Sequence, residues 1–223
     1  MTMRGLAVVT GLAFVAMGLA GCNGSASSEV QTPVAAQATQ TAETPRPVEA
    51  PAPPAPPVAA PAPVAKLVLR IDCGASEPYM DKQGNRWAAD QELADGVAWG
   101  ADNGMTVDRE GVGITGTDIP RIYETERYSM GSYKFTVPNG RYTVRLHFAE
   151  TYEGITAAGE RVFSVSLQGQ TVLKDIDPFK EVGALKPLVK EYKGISVENG
   201  QVVIGFTPNI ENPQICGIEV LGE

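Results

Sequence analysis

Residues 141–149 read Arg141-Tyr142-Thr143-Val144-Arg145-Leu146-His147-Phe148-Ala149. Tyr142, Val144, Leu146 and Phe148 fall on one parity; Arg141, Thr143, Arg145 and His147 fall on the other. Successive side chains of a strand point to opposite faces, so the pattern predicts a strand with one buried face. The same period of two recurs on both sides. Upstream, Leu67, Leu69, Ile71 and Cys73 alternate with Lys66, Arg70 and Asp72. Tyr133, Phe135 and Val137 alternate and run into Pro138-Asn139-Gly140, a turn signal that predicts a hairpin over 132–149. Downstream, Phe163, Val165 and Leu167 precede the tight turn Gln168-Gly169-Gln170. Val202, Ile204 and Phe206 follow a third turn, Glu198-Asn199-Gly200, and Cys216, Ile218 and Val220 close the chain. No long window carries a helical apolar stripe. Short strands at this spacing predict an all-β fold, a jelly-roll-like β-sandwich. Its irregular stretches would be 74–103, 150–160, 175–185 and 207–214, and function concentrates on such loops.

The chain has 223 residues, with 18 Lys and Arg, 26 Asp and Glu, and a net charge of −8. Residues 1–65 hold Arg4 and Arg46 against Glu29, Glu43 and Glu49, so nearly all the excess acidity lies on 66–223. A domain of that length buries roughly 70% of its unfolded surface and needs no metal or disulfide to fold. Its acidity argues against nucleic-acid or polyanion partners, which require clustered Lys and Arg. His147 is the single histidine, which excludes multi-His metal sites.

The N-terminus reads as an address. Arg4 gives a positive start, and Gly5 to Leu19 is apolar but too short for a comfortable membrane span. Leu19-Ala20-Gly21-Cys22 resembles the lipobox of bacterial lipoproteins, with 1–21 as signal peptide and Cys22 as the acylated first residue of the mature chain. Asn23 differs from the Asp that often retains lipoproteins at an inner membrane, which implies an outer-membrane or surface anchor at a bacterial cell envelope. Residues 22–65 form a Pro- and Ala-rich linker, with ten of the 17 prolines between Pro33 and Pro63. Proline fixes φ and removes donors, so this tract predicts a semi-rigid spacer of about 3.1 Å per residue.

Cys73 ends the first predicted strand and Cys216 begins the last, both on the apolar parity. If those strands pair antiparallel, the sulfurs approach each other and an exported compartment permits a disulfide. The alternative is two buried free thiols.

Five segments in order carry a family resemblance. They are Ile122-Tyr123-Glu124-Thr125-Glu126-Arg127-Tyr128, Leu146-His147-Phe148-Ala149-Glu150-Thr151-Tyr152, Val162-Phe163-Ser164-Val165, Lys174-Asp175-Ile176-Asp177-Pro178-Phe179 and Glu211-Asn212-Pro213-Gln214-Ile215-Cys216. With Ile71-Asp72-Cys73-Gly74 at the start, they resemble malectin and the malectin-like domains over 66–223. The resemblance implies a galactose-binding-like β-sandwich that binds a neutral carbohydrate through loop residues, with no catalysis and no cofactor. Tyr128 and Tyr152 match two sugar-stacking tyrosines of the family, and Glu211 stands where the lectin has Asp. Asn103 and Glu153 replace a sugar-contacting tyrosine and a phenylalanine, so both positions are expected to set hydroxyl specificity in a more polar site.

Other chemistries are weaker. Glu124, Glu126, Glu150, Glu153, Asp175 and Asp177 could supply a glycosidase pair, but such carboxylates are more often solvated or paired with Arg127, Arg145 or Lys174. A calcium ion at Asp81-Lys82-Gln83-Gly84-Asn85 would lack the ligand repeat of an EF-hand. His147 is expected to be exposed or cross-strand paired. Trp87 and Trp99 are expected to pack the first loop onto the sandwich. An envelope scaffold or protein-interaction domain that has lost its sugar site is the alternative function.

Overall fold

The computed structural model describes residues 67–223. The signal segment, Cys22 and the 22–65 linker lie outside the described residues. In chain order the strands begin with β1 (Val68–Asp72), β2 (Tyr79–Met80), β3 (Arg86–Ala89), β4 (Trp99–Asp102) and β5 (Met105–Asp108). After a 3-10 turn over Pro120–Tyr123 come β6 (Thr125–Tyr128), β7 (Ser132–Thr136), β8 (Gly140–Phe148), β9 (Val162–Leu167) and β10 (Gln170–Ile176). The short helix α1 (Pro178–Val182) leads to β11 (Leu188–Val197), β12 (Gln201–Ile210), β13 (Gln214–Ile215) and β14 (Gly217–Gly222).

Two sheets make the sandwich, in the orders β11-β8-β14-β1-β3-β2 and β10-β9-β12-β7-β4, and a small third sheet runs β13-β6-β5. The predicted alternation is the core. Tyr142, Val144, Leu146 and Phe148 are buried with Tyr133, Phe135, Phe163, Val165, Ile204 and Val220. Trp99 stacks on Phe135 with ring centroids 6.1 Å apart, so it packs the first loop as expected.

One connection differs from the expectation. β7 and β8 are not a hairpin: β7 pairs with β12 and β4, whereas β8 pairs with β11 and β14. Pro138-Asn139-Gly140 therefore carries the chain from one sheet to the other. A turn between two half-buried strands buries the same side chains in either arrangement, so the local pattern does not distinguish them. The turn is held by the Tyr142 hydroxyl donating to the Pro138 carbonyl at 2.8 Å and Gly200 N donating to Asn139 Oδ1 at 2.8 Å. The 168–170 turn is a true hairpin, with Gln168 and Gly169 both at positive φ.

The terminal strands β1 and β14 do pair antiparallel, and Cys73 N donates to the Cys216 carbonyl at 2.8 Å. The disulfide is nonetheless absent: both thiols are free and buried. The chain bends at Cys216. Ile215 thereby enters the main core, while Cys216 turns to a second cluster with Trp87, Ile122, Tyr123 and Ala149. Cys73 packs in the main core. Burial pushes both thiols well above their ordinary range, as suits small apolar fillers.

The second cluster also decides between the two expectations for His147, exposed or cross-strand paired. On this face of the six-stranded sheet the Trp87 ring of β3 and Tyr123 of the 3-10 turn pack against the imidazole, which is 4% exposed. Its Nδ1 lies 2.8 Å from the Tyr123 hydroxyl, its Nε2 lies 3.1 Å from Glu219 Oε1, and the Trp87 ring meets its edge. The pairing with Glu219 is cross-strand, from β8 to β14.

Candidate functional site

The small sheet positions the site. β5 and β6 pair in the register Met105 to Tyr128 and Val107 to Glu126. One parity therefore sets Val107, Glu126 and Tyr128 side by side, with Arg109 just beyond the end of β5. β13 flanks β6 on its other edge, pairing Gln214 with Tyr128. Gly104 allows the β4–β5 connection to approach this strand: a β-carbon there would lie 2.7 Å from the Tyr128 carbonyl oxygen. Two segments complete the walls, the 150–161 loop after β8 and the 211–213 link after β12.

Between them lies a cavity of about 240 Å³, lined by Val107, Arg109, Glu126, Tyr128, Tyr152, Arg161 and Glu211. Three of the five expected ligand-binding residues, Tyr128, Tyr152 and Glu211, thus meet in one place. Tyr152 is 46% exposed and Tyr128 is partly buried, its hydroxyl directed to Met105 Sδ at 3.6 Å. The Tyr152 ring folds back over Gly154, where a β-carbon would lie 2.5 Å from ring carbon Cε1. The Arg109 guanidinium carbon stands 5.8 Å from the centre of the same ring, within cation–π range.

The other two expected residues do not line the cavity. Glu153 is exposed at the tip of the 150–161 loop. Asn103 sits at φ 55° before Gly104 at φ 94°. That left-handed pair suits Asn-Gly, and the Asn103 carbonyl accepts from Arg127 Nη1 at 2.9 Å. Asn103 therefore serves the turn through its backbone.

Arg109, Glu126, Arg161 and Val107 were not among the expected ligand residues. Glu126 was legible in principle, because it lies two residues from Tyr128 and shares its face. Arg109 and Arg161 belong to no pattern that marks them. Their charges are matched within the wall. Arg109 Nη1 lies 3.0 Å from Glu126 Oε1 and donates to Thr151 Oγ1 at 3.1 Å, and Thr151 donates to Glu126 Oε2 at 3.1 Å. Arg161 Nε donates to Glu150 Oε2 at 2.7 Å and Nη1 donates to the Asn212 carbonyl at 2.6 Å, tying the loop to the 211–213 link. Glu150 is fully buried, and its Oε1 accepts from Tyr152 N at 3.1 Å. Burial raises the Glu150 carboxyl above its ordinary range, with Arg161 opposing that shift. Glu211 differs from these carboxylates: its Oε1 accepts from the neighbouring Asn212 Nδ2 at 2.9 Å.

Beneath the site, Arg127 and Asp90 form a buried pair, Nε to Oδ2 at 2.7 Å. Asp90 also accepts from Gly74 N, Gln91 N and the Tyr133 hydroxyl. Asp81 is a turn organiser. Its carboxylate accepts from Gln83 N, Asn85 N, Asn85 Nδ2 and the Trp87 indole.

Comparison with known proteins adds an independent line. The Malectin domain family model matches residues 67–218. Malectin-A of Xenopus laevis is 26% identical over 172 residues, covering 70% of this chain and 60% of that protein. Malectin of Homo sapiens is 30% identical over 116 residues, covering 45% of this chain and 39% of that protein. Among solved structures, Bacteroides uniformis β-glucuronidase superimposes with a TM-score of 0.64 at 25% identity, over 70% of this chain and 18% of the enzyme chain. The chain thus spans less than two thirds of the length of each of these relatives.

Proposed function

The chain belongs to the malectin domain family, and from that premise we propose that residues 67–223 bind a neutral carbohydrate without transforming it. The observation that carries this reading is the convergence of Tyr128, Tyr152 and Glu211, from three separate segments, on one open cavity. A pyranose has an apolar face and a rim of hydroxyls. The tyrosine rings offer surface to the face at little entropic cost. Glu211 accepts from hydroxyls, and Arg109 and Arg161, which line the same cavity, have N–H groups to donate to them. The mutual pairing of Glu126 with Arg109 and of Glu150 with Arg161 supports binding over hydrolysis, because a glycosidase needs two carboxylates available to the scissile bond.

Calorimetry against a panel of neutral oligosaccharides tests the assignment. Tyr128→Ala with Tyr152→Ala should remove on the order of 2–3 kcal/mol, roughly 30- to 150-fold in affinity. Unchanged affinity in the double variant, with the melting midpoint retained, would sink the stacking role.

We further propose that the domain is held at a bacterial envelope by acylated Cys22 and spaced from the bilayer by residues 22–65. The Leu19-Ala20-Gly21-Cys22 pattern and the proline tract support this. Labelled fatty acid should enter the chain and disappear in Cys22→Ser; label persisting in that variant would refute the anchor.

A further inference from the structure

Glu211 stands apart from the other charged groups of the cavity in two respects. It takes part in no ion pair among the described residues, whereas Arg109 is matched by Glu126 and Arg161 by Glu150. It is also held at φ 57°, a left-handed conformation that disfavours any residue with a β-carbon except Asn and Asp. Gly or Asn would fit that backbone better, so the position carries a carboxylate against its own local preference. Non-glycine residues held in such conformations cluster where function requires the side chain. With two guanidinium groups balanced by two carboxylates, Glu211 leaves the wall one negative charge in excess.

We propose that the cavity ranks sugars by charge, an amino sugar with a free ammonium above the neutral sugar of the same linkage and both above a uronic acid, with Glu211 as the specificity determinant. This inference rests on the carbohydrate-binding assignment and names the substrate class of that site. A hydroxyl donates to Glu211 as one dipole. A sugar ammonium donates through a full charge, while a uronate meets an unpaired carboxylate. The two arginines do not reverse this order, because their charges are already matched by Glu126 and Glu150. At an open, water-facing site a unit charge at about 4 Å is worth about fivefold in affinity at low salt, and less as ionic strength rises.

The test titrates the full chain with three disaccharides of one linkage, built from glucose, glucosamine and glucuronic acid, and with the N-acetylated amino sugar as a neutral control. The amino sugar should bind about fivefold tighter than the glucose form and the uronate about fivefold weaker, with both gaps narrowing in high salt. The N-acetyl form should lose the amino sugar's advantage. Glu211→Gln should bring the three affinities within about twofold of one another. Glu211→Asn should do the same while raising the melting midpoint, since Asn tolerates the left-handed backbone. A uronate preference, or a ranking that survives both substitutions, overturns the proposal. Equal binding of all three sugars by the parent chain overturns it and leaves carbohydrate binding standing. Binding of none defeats the carbohydrate assignment and this proposal together.

Discussion

Asp90→Ala should destabilise the domain by about 3–5 kcal/mol, because it leaves the buried Arg127 guanidinium with only the exposed Glu92 carboxylate, 3.9 Å away, as counter-charge. The Arg127 and Asp90 side chains are 4% and 2% exposed, so water does not substitute for the lost partner. The same change strips the acceptor from Gly74 N, Gln91 N and the Tyr133 hydroxyl. For a domain of this size, with about 2–4 °C per kcal/mol, the melting midpoint should fall by about 10 °C. Because Arg127 immediately precedes Tyr128 on β6, sugar affinity should fall with it even below the midpoint. Asp90→Asn, which keeps one acceptor, should fall between the two. A loss below about 1 kcal/mol in chemical denaturation would mean that the pair is solvated in solution and does not anchor β6.

Asp72→Asn should act in the opposite direction, and only above a defined pH. The Asp72 side chain is fully buried on β1, accepts from the Thr125 hydroxyl on β6, and leaves Oδ2 without a partner. Burial pushes its carboxyl up from 3.8 to about 7; Thr125 and Arg121 oppose this, and Asp108 and Asp90 add to it. Between those values the folded chain binds a proton that the unfolded chain has released, so stability falls as pH rises through the window. Below about pH 4 both states are protonated and the cost vanishes; above about pH 7 it is complete, about 4 kcal/mol for a shift of about three units. Asn is nearly the same shape and carries no charge at any pH. The variant should match the parent near pH 4 and exceed it by about 4 kcal/mol at pH 8. Denaturation curves at the two pH values measure this directly, and an equal difference at both would show that Asp72 titrates normally in the fold.

The strands with strict alternation were legible. β1, β7, β8, β9, β12 and β14 lie within a residue or two of their predicted centres, because a half-buried strand writes its period into the local sequence. β10 and β11 were missed. Their alternation is diluted by exposed polar residues at sheet edges, as in Lys190, Glu191 and Lys193 of β11. The long 74–103 stretch holds three short strands, β2 to β4, each too brief to show a period. Among the residues that line the candidate cavity, Tyr128, Tyr152 and Glu211 were expected from their motifs. Arg109 and Arg161 were not, since an arginine beside a strand reads as a solvated charge until its partner is known.

By itself the amino-acid sequence determined an acidic all-β domain behind a proline-rich segment, because alternation, turn residues and composition are local properties, and the resemblance of its ordered motifs implied the malectin type. Only the tertiary structure decided that 138–140 crosses between sheets, that Cys216 turns away from the main core, and that three distant segments close one cavity around a carboxylate left out of the ion pairs. Those outcomes depend on which strand lies beside which. Strand pairing is set by burial and hydrogen bonding summed over residues far apart in the chain, and no stretch of sequence records that sum on its own.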